Sequence, residues 1–326
     1  MAITAVEEEA IHRTLTLRPL AGLLSLVNDQ ARLSPSGAGT RGASQLSSAN
    51  KCERLFSLAY YHKLTTKFEP DYRLLGTLIH TRLAYHYAAQ LEEPPDWFSI
   101  PVEDALAHDG AGQRPDLLET SDRVMRMYLE RWSPDPWKAK AVEYEFTASV
   151  KELDPDGVAI HPGEDDEKIT AKVDLYVESN GQDWIVDHKT KRLAWNAKRL
   201  PDWEPKEFQL SWQVLLYLNV VRAHCRREGL RQPAGFMIQR VTRELPFDSD
   251  RNVVPIPQEP YAMAPKTARM LIQNELRVRN KIQSNLPLVP NFGACNGIFG
   301  CDFQKLCAAG PKARPGIIRN AYKKKE

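Results

Sequence analysis

Residues 167–191 read EKITAKVDLYVESNGQDWIVDHKTK, in which two runs that alternate polar and apolar residues flank an Asn-Gly pair. Asn180-Gly181 is a strong signal for a two-residue hairpin turn, because both central positions of that turn take positive φ angles. The register of such a turn places Asp174 directly across from Asp187. Like charges that oppose each other in this way are destabilising, so the pair indicates a cation between the two carboxylates.

The face of the hairpin that carries Asp174 and Asp187, called the wall below, also carries lysines. Lys189 lies two residues after Asp187 and therefore leaves the same face of its strand. The register sets Lys172 across from Lys189. The other face of the hairpin is suited to a core, and its opposed pairs are Val173 with His188, Leu175 with Val186, and Val177 with Trp184.

An oxygen-rich site of this kind selects Mg²⁺ or Mn²⁺. Such an ion lowers the pKa of a bound water and stabilises charge on a phosphoryl oxygen. Lys189 would lie beside that water, either as a charge stabiliser or as a participant in its deprotonation. The alternative is a solvated sheet face with alternating charges, which an isolated D-x-K triplet favours. The opposed Asp174, the Asn-Gly turn and the apolar reverse face favour the metal site.

Composition limits the classes of protein to consider. The chain has 326 residues, 42% hydrophobic and 26% charged, which is ordinary for one large or two modest globular domains. The net charge of +2 gives no argument for nucleic-acid binding from bulk charge. The longest apolar run, 214–218, is too short to span a bilayer, and the acidic N-terminus lacks a secretory pattern. We therefore expect a cytoplasmic protein, in which five cysteines are metal ligands or bystanders rather than disulfides.

Three segments are predicted along the chain: an arm at 1–45, a folded part at 46–310 and a basic tail at 311–326. Apolar periodicity predicts helices from residue 45 onward and at 74–91, 116–132, 207–226 and 265–283. Alternation predicts strands at 142–150 and 236–241 in addition to the hairpin. Gln209, Gln213 and Tyr217 would form one polar stripe on the 207–226 helix. This order of elements favours an α/β or α+β fold with helices that cover a mixed sheet.

Taken together, the motifs resemble the PD-(D/E)XK nuclease superfamily. Asp174, a gap of twelve residues and then Asp187-His188-Lys189 match its signature. Gly76 to His80 resembles the G-x-x-x-H helix of the RecB-like exonuclease branch, which includes AddB, CRISPR-associated and phage-type members. Gln213 to Tyr217 resembles the Q-x-x-x-Y helix of that branch. The resemblance covers about residues 45–310.

The resemblance implies a restriction-endonuclease-like core, with a central mixed sheet flanked by helices, and a set of site residues. The implied metal ligands are His80, Asp174, Asp187, the backbone carbonyl of His188 and, by a looser match, Glu143. The implied catalytic residues are Asp174, Asp187 and Lys189, with Gln213 and Tyr217 to orient DNA. Gly76 would let a sheet or the substrate approach the helix that carries His80.

A second group of residues is the cysteine set. Cys295, Cys301 and Cys307 are spaced C-x5-C-x5-C, and Cys52 lies far upstream at the start of the first core helix. Structural zinc sites use tighter pairs, so zinc is the weaker interpretation, whereas four thiolates can hold an iron–sulfur cluster. The resemblance implies such a cluster, of the 4Fe-4S type, joining the N- and C-terminal segments. Cys225, in the long apolar helix, is interpreted as a bystander.

The function implied is that of a metal-dependent DNA exonuclease that acts on single strands or duplex ends, in recombination, repair or phage DNA processing. Recombination or replication proteins would be its partners, in a bacterial cell or a phage-infected host. Trp195 and Trp203 would stack on unpaired bases, unless their loop is only a connector. A structure-specific endonuclease on the same fold and a non-catalytic iron–sulfur DNA-binding scaffold are the alternatives.

Overall fold

The computed structural model describes residues 41–67, 70–109, 114–193, 196–295, 301–310 and 313–324. The predicted arm therefore lies, up to residue 40, outside the described residues. The helices are α1 Ala43–Lys51, α2 Glu53–Phe56, α3 Asp71–Ala88, α4 Val102–His108, α5 Pro115–Arg131, α6 Val150–Leu153, α7 Lys206–Gln209, α8 Trp212–Arg227, α9 Gln258–Gln283, α10 Phe292–Cys295, α11 Gln304–Ala308 and α12 Arg314–Ala321. The strands are β1 Leu64–Thr66, β2 Lys138–Ser149, β3 Lys168–Ser179, β4 Gln182–Lys191, β5 Gly235–Thr242, β6 Ser249–Val254 and β7 Tyr322–Lys324.

A five-stranded mixed sheet, in the order β2-β3-β4-β5-β6, is the centre of the described fold. Only β4 and β5 pair in parallel among these strands, and the chain crosses between them through α7 and α8. A parallel pair requires a crossover of this kind, because a short turn cannot reverse the chain twice. The sheet confirms the mixed α/β architecture expected from the order of elements.

The two faces of the sheet bury separate cores. One core packs the sheet against α1, α8 and α9, and the other packs it against α3 and α5. The predicted apolar face of the hairpin is buried, but it does not line a single core. Val173 belongs to the first core, whereas Leu175, Val177 and Val186 belong to the second. Cys225, which the sequence analysis interpreted as a bystander, is buried in the first core.

Several predicted elements differ from those observed. The predicted 207–226 helix is interrupted at residues 210–211, between α7 and α8. Gln209 therefore precedes the break, and the predicted three-residue stripe is wrong. Helix α9 begins at Gln258 and contains Pro265, which had been expected to start it. Helix α4, strand β6 and the pairing of β1 with β7 were not predicted.

The N- and C-terminal parts of the described chain are packed together. β1 pairs antiparallel with β7, above a small core of Leu58, Leu64, Phe303, Leu306, Ile318 and Tyr322. Glu53, at the start of α2, ion-pairs with Arg277 at 2.9 Å and Lys281 at 2.8 Å on α9. These contacts hold the region around Cys52 close to that of the later cysteines. Within the described ranges, no helix is long and apolar enough to cross a membrane.

Candidate active site and cysteine pocket

The hairpin forms with the predicted turn and register, and then its strands separate. Asn180 and Gly181 have φ angles of 52° and 73°, and the described ladder runs from the turn to the pair Leu175–Val186. Beyond that pair β3 continues along β2 while β4 continues along β5. The two aspartates therefore do not form the ladder pair that the register of the turn predicted. Instead, the Asp174 carboxylate accepts a hydrogen bond from the His188 backbone N–H at 2.8 Å.

Asp187 is the buried carboxylate of the site, with 5% of its surface exposed. Its Oδ1 accepts a hydrogen bond from Gln213 Nε2 at 3.1 Å, and its Oδ2 lies 2.6 Å from Lys189 Nζ. Burial raises the pKa of Asp187, and Asp174 raises it further, while Lys189 and His80 act in the opposite direction. The carboxylate of Asp174 lies nearby, because it accepts its hydrogen bond from the backbone of His188, the residue that follows Asp187.

Helix α3 brings His80 to this wall. His80 Nδ1 lies 3.7 Å from Asp174 Oδ2. The helix can approach β4 closely because Gly76 has no side chain: a Cβ there would lie 3.0 Å from Thr190 Oγ1. Of the two approaches that the sequence left open for Gly76, the structure therefore shows that of the sheet.

Glu143, on β2, occupies an unusual backbone position. Its φ angle is +50°, a left-handed conformation that costs a non-glycine residue on the order of 1–3 kcal/mol. The conformation changes the face that alternate residues of β2 present, so that Val142 packs in the second core and Phe146 in the first. Its carboxylate ion-pairs with buried Lys172 at 2.6 Å. Lys172 is thus a partner of Glu143 and not, as predicted, of Lys189.

Helix α8 supplies the remaining predicted residues. Gln213, in its first turn, holds Asp187, and Tyr217 lies one turn later, partly buried against the first core. Burial raises the pKa of Tyr217, as do the charges of Asp174, Asp187 and Glu143. The hydroxyl therefore stays protonated and can donate a hydrogen bond to a phosphate or carboxylate.

The ring of His188, which the sequence analysis assigned to the core-facing side of the hairpin, is buried behind the site. It stacks on Tyr87 with centroids 6.1 Å apart and meets the His80 ring edge-on at 5.9 Å. Burial lowers the pKa of His188 to about 3, as do the neighbouring His80 and Arg251, so the ring is neutral at physiological pH. Its hydrogen-bonding neighbour Gln239 is completely buried.

Gln239 belongs to a buried polar network that sequence analysis missed. Tyr128 Oη hydrogen-bonds Gln239 and lies 2.5 Å from Tyr87 Oη. Arg251 donates to both tyrosines and to Asp135, and its guanidinium lies 3.8 and 3.6 Å from the ring centroids of Trp132 and Trp137. The members come from widely separated elements, so no local spacing signals the network.

The carboxylates of the wall are suitable ligands for a hard divalent ion, but its side chains do not surround a single point. Within the described part of the chain, no three His, Cys, Asp or Glu side chains converge closely enough to hold an ion. His80, Asp174 and Asp187 nevertheless offer the imidazole and carboxylate donors that Mg²⁺ and Mn²⁺ accept. The ammonium group of Lys189 ion-pairs with Asp187 Oδ2, an oxygen that a bound divalent ion would also contact.

The four predicted cluster cysteines meet at a different place. Cys52, Cys295, Cys301 and Cys307 line one cavity of about 190 Å³, together with Arg54. Cys52 was predicted at the start of a core helix. It is instead an extended residue that ends α1 and directly precedes α2. Burial raises the pKa of Cys307 to about 11; Arg54 opposes this rise and the other three thiols add to it. Without a metal, this sulfur is therefore a thiol at neutral pH.

The tryptophans that were expected to stack on bases differ in their outcome. Trp203 stacks on Phe208 with ring centroids 5.2 Å apart, and the Arg240 guanidinium lies 5.4 Å from its ring. Trp203 thus packs against the protein through these contacts and remains partly exposed. Trp195 lies outside the described residues.

Comparison with known proteins identifies the family of this fold and site. The family model of the PD-(D/E)XK nuclease superfamily matches residues 42–308. Among solved structures, the chain is similar to a protein from Eubacterium rectale named "Putative exonuclease", at 14% identity and a TM-score of 0.45, covering 84% of this chain and 92% of that one. It is also similar to a protein named SSO0001, at 15% identity and a TM-score of 0.25, over 60% of this chain and 74% of the other. No curated protein gives a significant sequence match.

Proposed function

The chain belongs to the PD-(D/E)XK nuclease superfamily, and on that premise we propose that it is a divalent-metal-dependent DNA exonuclease that hydrolyses single strands or duplex ends. The observation that carries this proposal is the burial of the Asp187 carboxylate and the contacts that hold it. Its buried carboxylate is held on one oxygen by Gln213 and on the other by Lys189, beside Asp174. A scaffold protein with no chemistry would have no need to bury this charge next to a second carboxylate.

Each residue of the wall has a distinct role in the proposed reaction. His80, Asp174 and Asp187 would hold one or two Mg²⁺ or Mn²⁺ ions, which lower the pKa of a water and neutralise phosphate charge. Gln213 orients the Asp187 carboxylate, as the partners of metal ligands commonly do.

Two side chains of the site, those of Lys189 and Tyr217, act on the substrate. Lys189 stabilises the charge that develops on the scissile phosphate, or takes part in deprotonating the attacking water. Tyr217, which stays protonated, donates a hydrogen bond to the phosphate or a neighbouring base. The carboxylate of Glu143 is held by its ion pair with Lys172, and from strand β2 it assists the three metal ligands.

A second cofactor is proposed for the cysteine pocket. Four thiols on one cavity are the donor set of an iron–sulfur cluster or of a structural zinc ion. The cluster fits better, because it is larger than a single ion and the four cysteines line a cavity without closing on one point. Cys52, Cys295, Cys301 and Cys307 would hold a 4Fe-4S cluster that clips together two parts of the chain that are far apart in sequence. Such a closure of a long loop is stabilising.

The test is degradation of labelled DNA by protein purified without oxygen. We expect linear single strands to be degraded with Mn²⁺ or Mg²⁺ and not with EDTA, and circular single strands to survive. Asp187→Asn should abolish degradation but not DNA binding, while Asp104→Asn, an exposed change of the same kind on α4, should leave the rate unchanged. Cutting of circles would instead indicate an endonuclease. Binding by the native protein without any degradation would contradict the proposed enzyme.

A further inference from the structure

Two arginines at or beside the cysteine pocket each have one buried nitrogen without a hydrogen-bond partner. Arg54, two residues after Cys52, lines the cavity, and its Nε is buried without a hydrogen bond. Arg314, at the start of α12, has 8% of its surface exposed. Its Nε donates to the Ala309 carbonyl at 3.0 Å, but its Nη1 is buried and unpaired. Groups of this kind are rare in folded proteins, and a bound ion is one of the features that account for them.

Among the described residues, the carboxylates next to the cysteines in sequence are paired with other cations. Of the acidic residues next to the cysteines in sequence, Glu53 ion-pairs with Arg277 and Lys281, and Asp302 lies 3.5 Å from Arg73. Among the residues that the structure describes, neither Arg54 nor Arg314 forms an ion pair. Arg54 lines the cavity with the four cysteines, and Arg314 is held at Ala309, the residue after cavity-lining Ala308. Two positive charges without a carboxylate partner thus lie at or beside the cavity.

We propose that Arg54 and Arg314 are the counter-charges of a metal–thiolate group held by Cys52, Cys295, Cys301 and Cys307. This inference rests on the proposed cofactor of the pocket but not on nuclease activity. Four thiolates outweigh the positive charge of a bound zinc ion or of an iron–sulfur core, so the assembled group is an anion. Guanidinium N–H groups form strong, charge-assisted hydrogen bonds with anions. In the absence of the group the two arginines repel each other, and on its assembly they stabilise it.

The assignment has two measurable consequences. Loss of a residue that supports metal ligands typically weakens metal binding by about 10–100-fold. In addition, net charge and hydrogen bonds to sulfur set the reduction potential of an iron–sulfur cluster. Removing a positive charge disfavours the reduced, more negative state, so the potential should become more negative.

The experiment compares Arg54→Gln and Arg314→Gln with the native protein, all full-length and purified anaerobically. Iron, sulfide and zinc are quantified per chain, and metal loss is followed spectrophotometrically with an excess of an iron or zinc chelator. If iron and sulfide are present, the midpoint potential is measured by dye-mediated titration with dithionite. Arg227→Gln is the matched control: Arg227 is the last residue of α8, and its native side chain ion-pairs with Glu152 and Glu228.

We expect each glutamine variant to lose metal at least about tenfold faster than the native protein, and the control to match the native rate. Arg54→Lys and Arg314→Lys, which keep the charge, should recover much of the loss and leave the potential close to native. Zinc in place of iron, with the same order of loss rates, would support the counter-charge role equally. Native protein free of metal, or glutamine variants that lose metal at the native rate, would overturn it. A protein that holds its cluster but degrades no DNA would contradict only the proposed nuclease.

Discussion

Gln213→Leu isolates the hydrogen bond that holds the buried carboxylate of the active site. Gln213 Nε2 lies 3.1 Å from Asp187 Oδ1, and the carboxylate has 5% of its surface exposed, so no solvent water readily replaces the lost donor. Hydrogen bonds to charged groups contribute about 1.5–3 kcal/mol. Leucine is close to glutamine in size and suits the apolar surroundings of α8, so the change removes the donor while the packing is largely kept.

If this free energy is expressed in the orientation of Asp187, the rate at limiting Mn²⁺ should fall about 10–100-fold, since each factor of ten corresponds to 1.36 kcal/mol. The assay is the initial rate of nucleotide release from labelled single-stranded DNA as Mn²⁺ is varied, with DNA affinity measured separately in Ca²⁺. We expect a higher Mn²⁺ requirement and a lower maximal rate, with DNA affinity close to native.

Gln209→Leu is the matched control, because Gln209 lies in α7, before the break that separates it from Gln213. It should retain the native rate and Mn²⁺ dependence. The reasoning would be refuted if Gln213→Leu kept the native Mn²⁺ dependence, or if its only defect were weaker DNA binding. The second result would mean that Gln213 contacts the substrate rather than the carboxylate.

Three other predictions concern the same wall and the stability of the fold. Lys189→Met should bind Mn²⁺ up to about tenfold more tightly, because the ammonium that competes for Asp187 is gone, yet lose nearly all activity; calorimetry that shows weaker binding would contradict this competition. Gly76→Ala should lower the free energy of unfolding by about 1–2 kcal/mol through its clash with Thr190, and Thr190→Ala should remove that penalty in the double variant; additive losses in urea denaturation would exclude the clash. Burial, with a smaller effect of Lys324, lowers the pKa of His62 from 6.5 to about 4, so only the unfolded chain gains this proton between those values. Stability should thus be complete above pH 6.5 and fall towards pH 4, by at most about 3 kcal/mol, and His62→Gln should flatten that slope; an unchanged slope would refute the assignment.

The hairpin was predictable because its determinants are local. The Asn-Gly turn needs two positive φ angles, which Asn180 and Gly181 adopt, and the alternation of the two strands fixes their register from the turn to Leu175 and Val186. The residues that the motifs selected, from His80 to Tyr217, were also found around the same end of these strands. The turn and the alternation were sufficient for the hairpin because they lie within a few residues of each other, whereas His80, Gln213 and Tyr217 were selected as site residues by the family resemblance.

The separation of β3 from β4 was not predictable from the same signals. It depends on β5, some fifty residues later, which pairs with β4 as far as Lys191 and draws it away from β3. The buried network behind His188 has the same origin, since Gln239 and Arg251 lie on strands β5 and β6. Likewise, the extended backbone of Cys52 interrupts a run whose apolar spacing is helical throughout, because packing against the C-terminal segment overrides local preference.

The separation of the strands also explains how two carboxylates can be kept together in a folded protein. In a continued ladder, Asp174 and Asp187 would face each other with no donor of their own, at a cost in stability. Where the strands part, each carboxylate gains a partner: Asp174 takes the His188 N–H, and Asp187 takes Gln213 and Lys189. Lys189 is the one of these partners that carries a full positive charge, so a divalent ion that binds Asp187 must share or replace its contact. In the proposed reaction, a lysine released in this way would be available to the attacking water or the phosphate, which would link binding of the ion to the placement of Lys189.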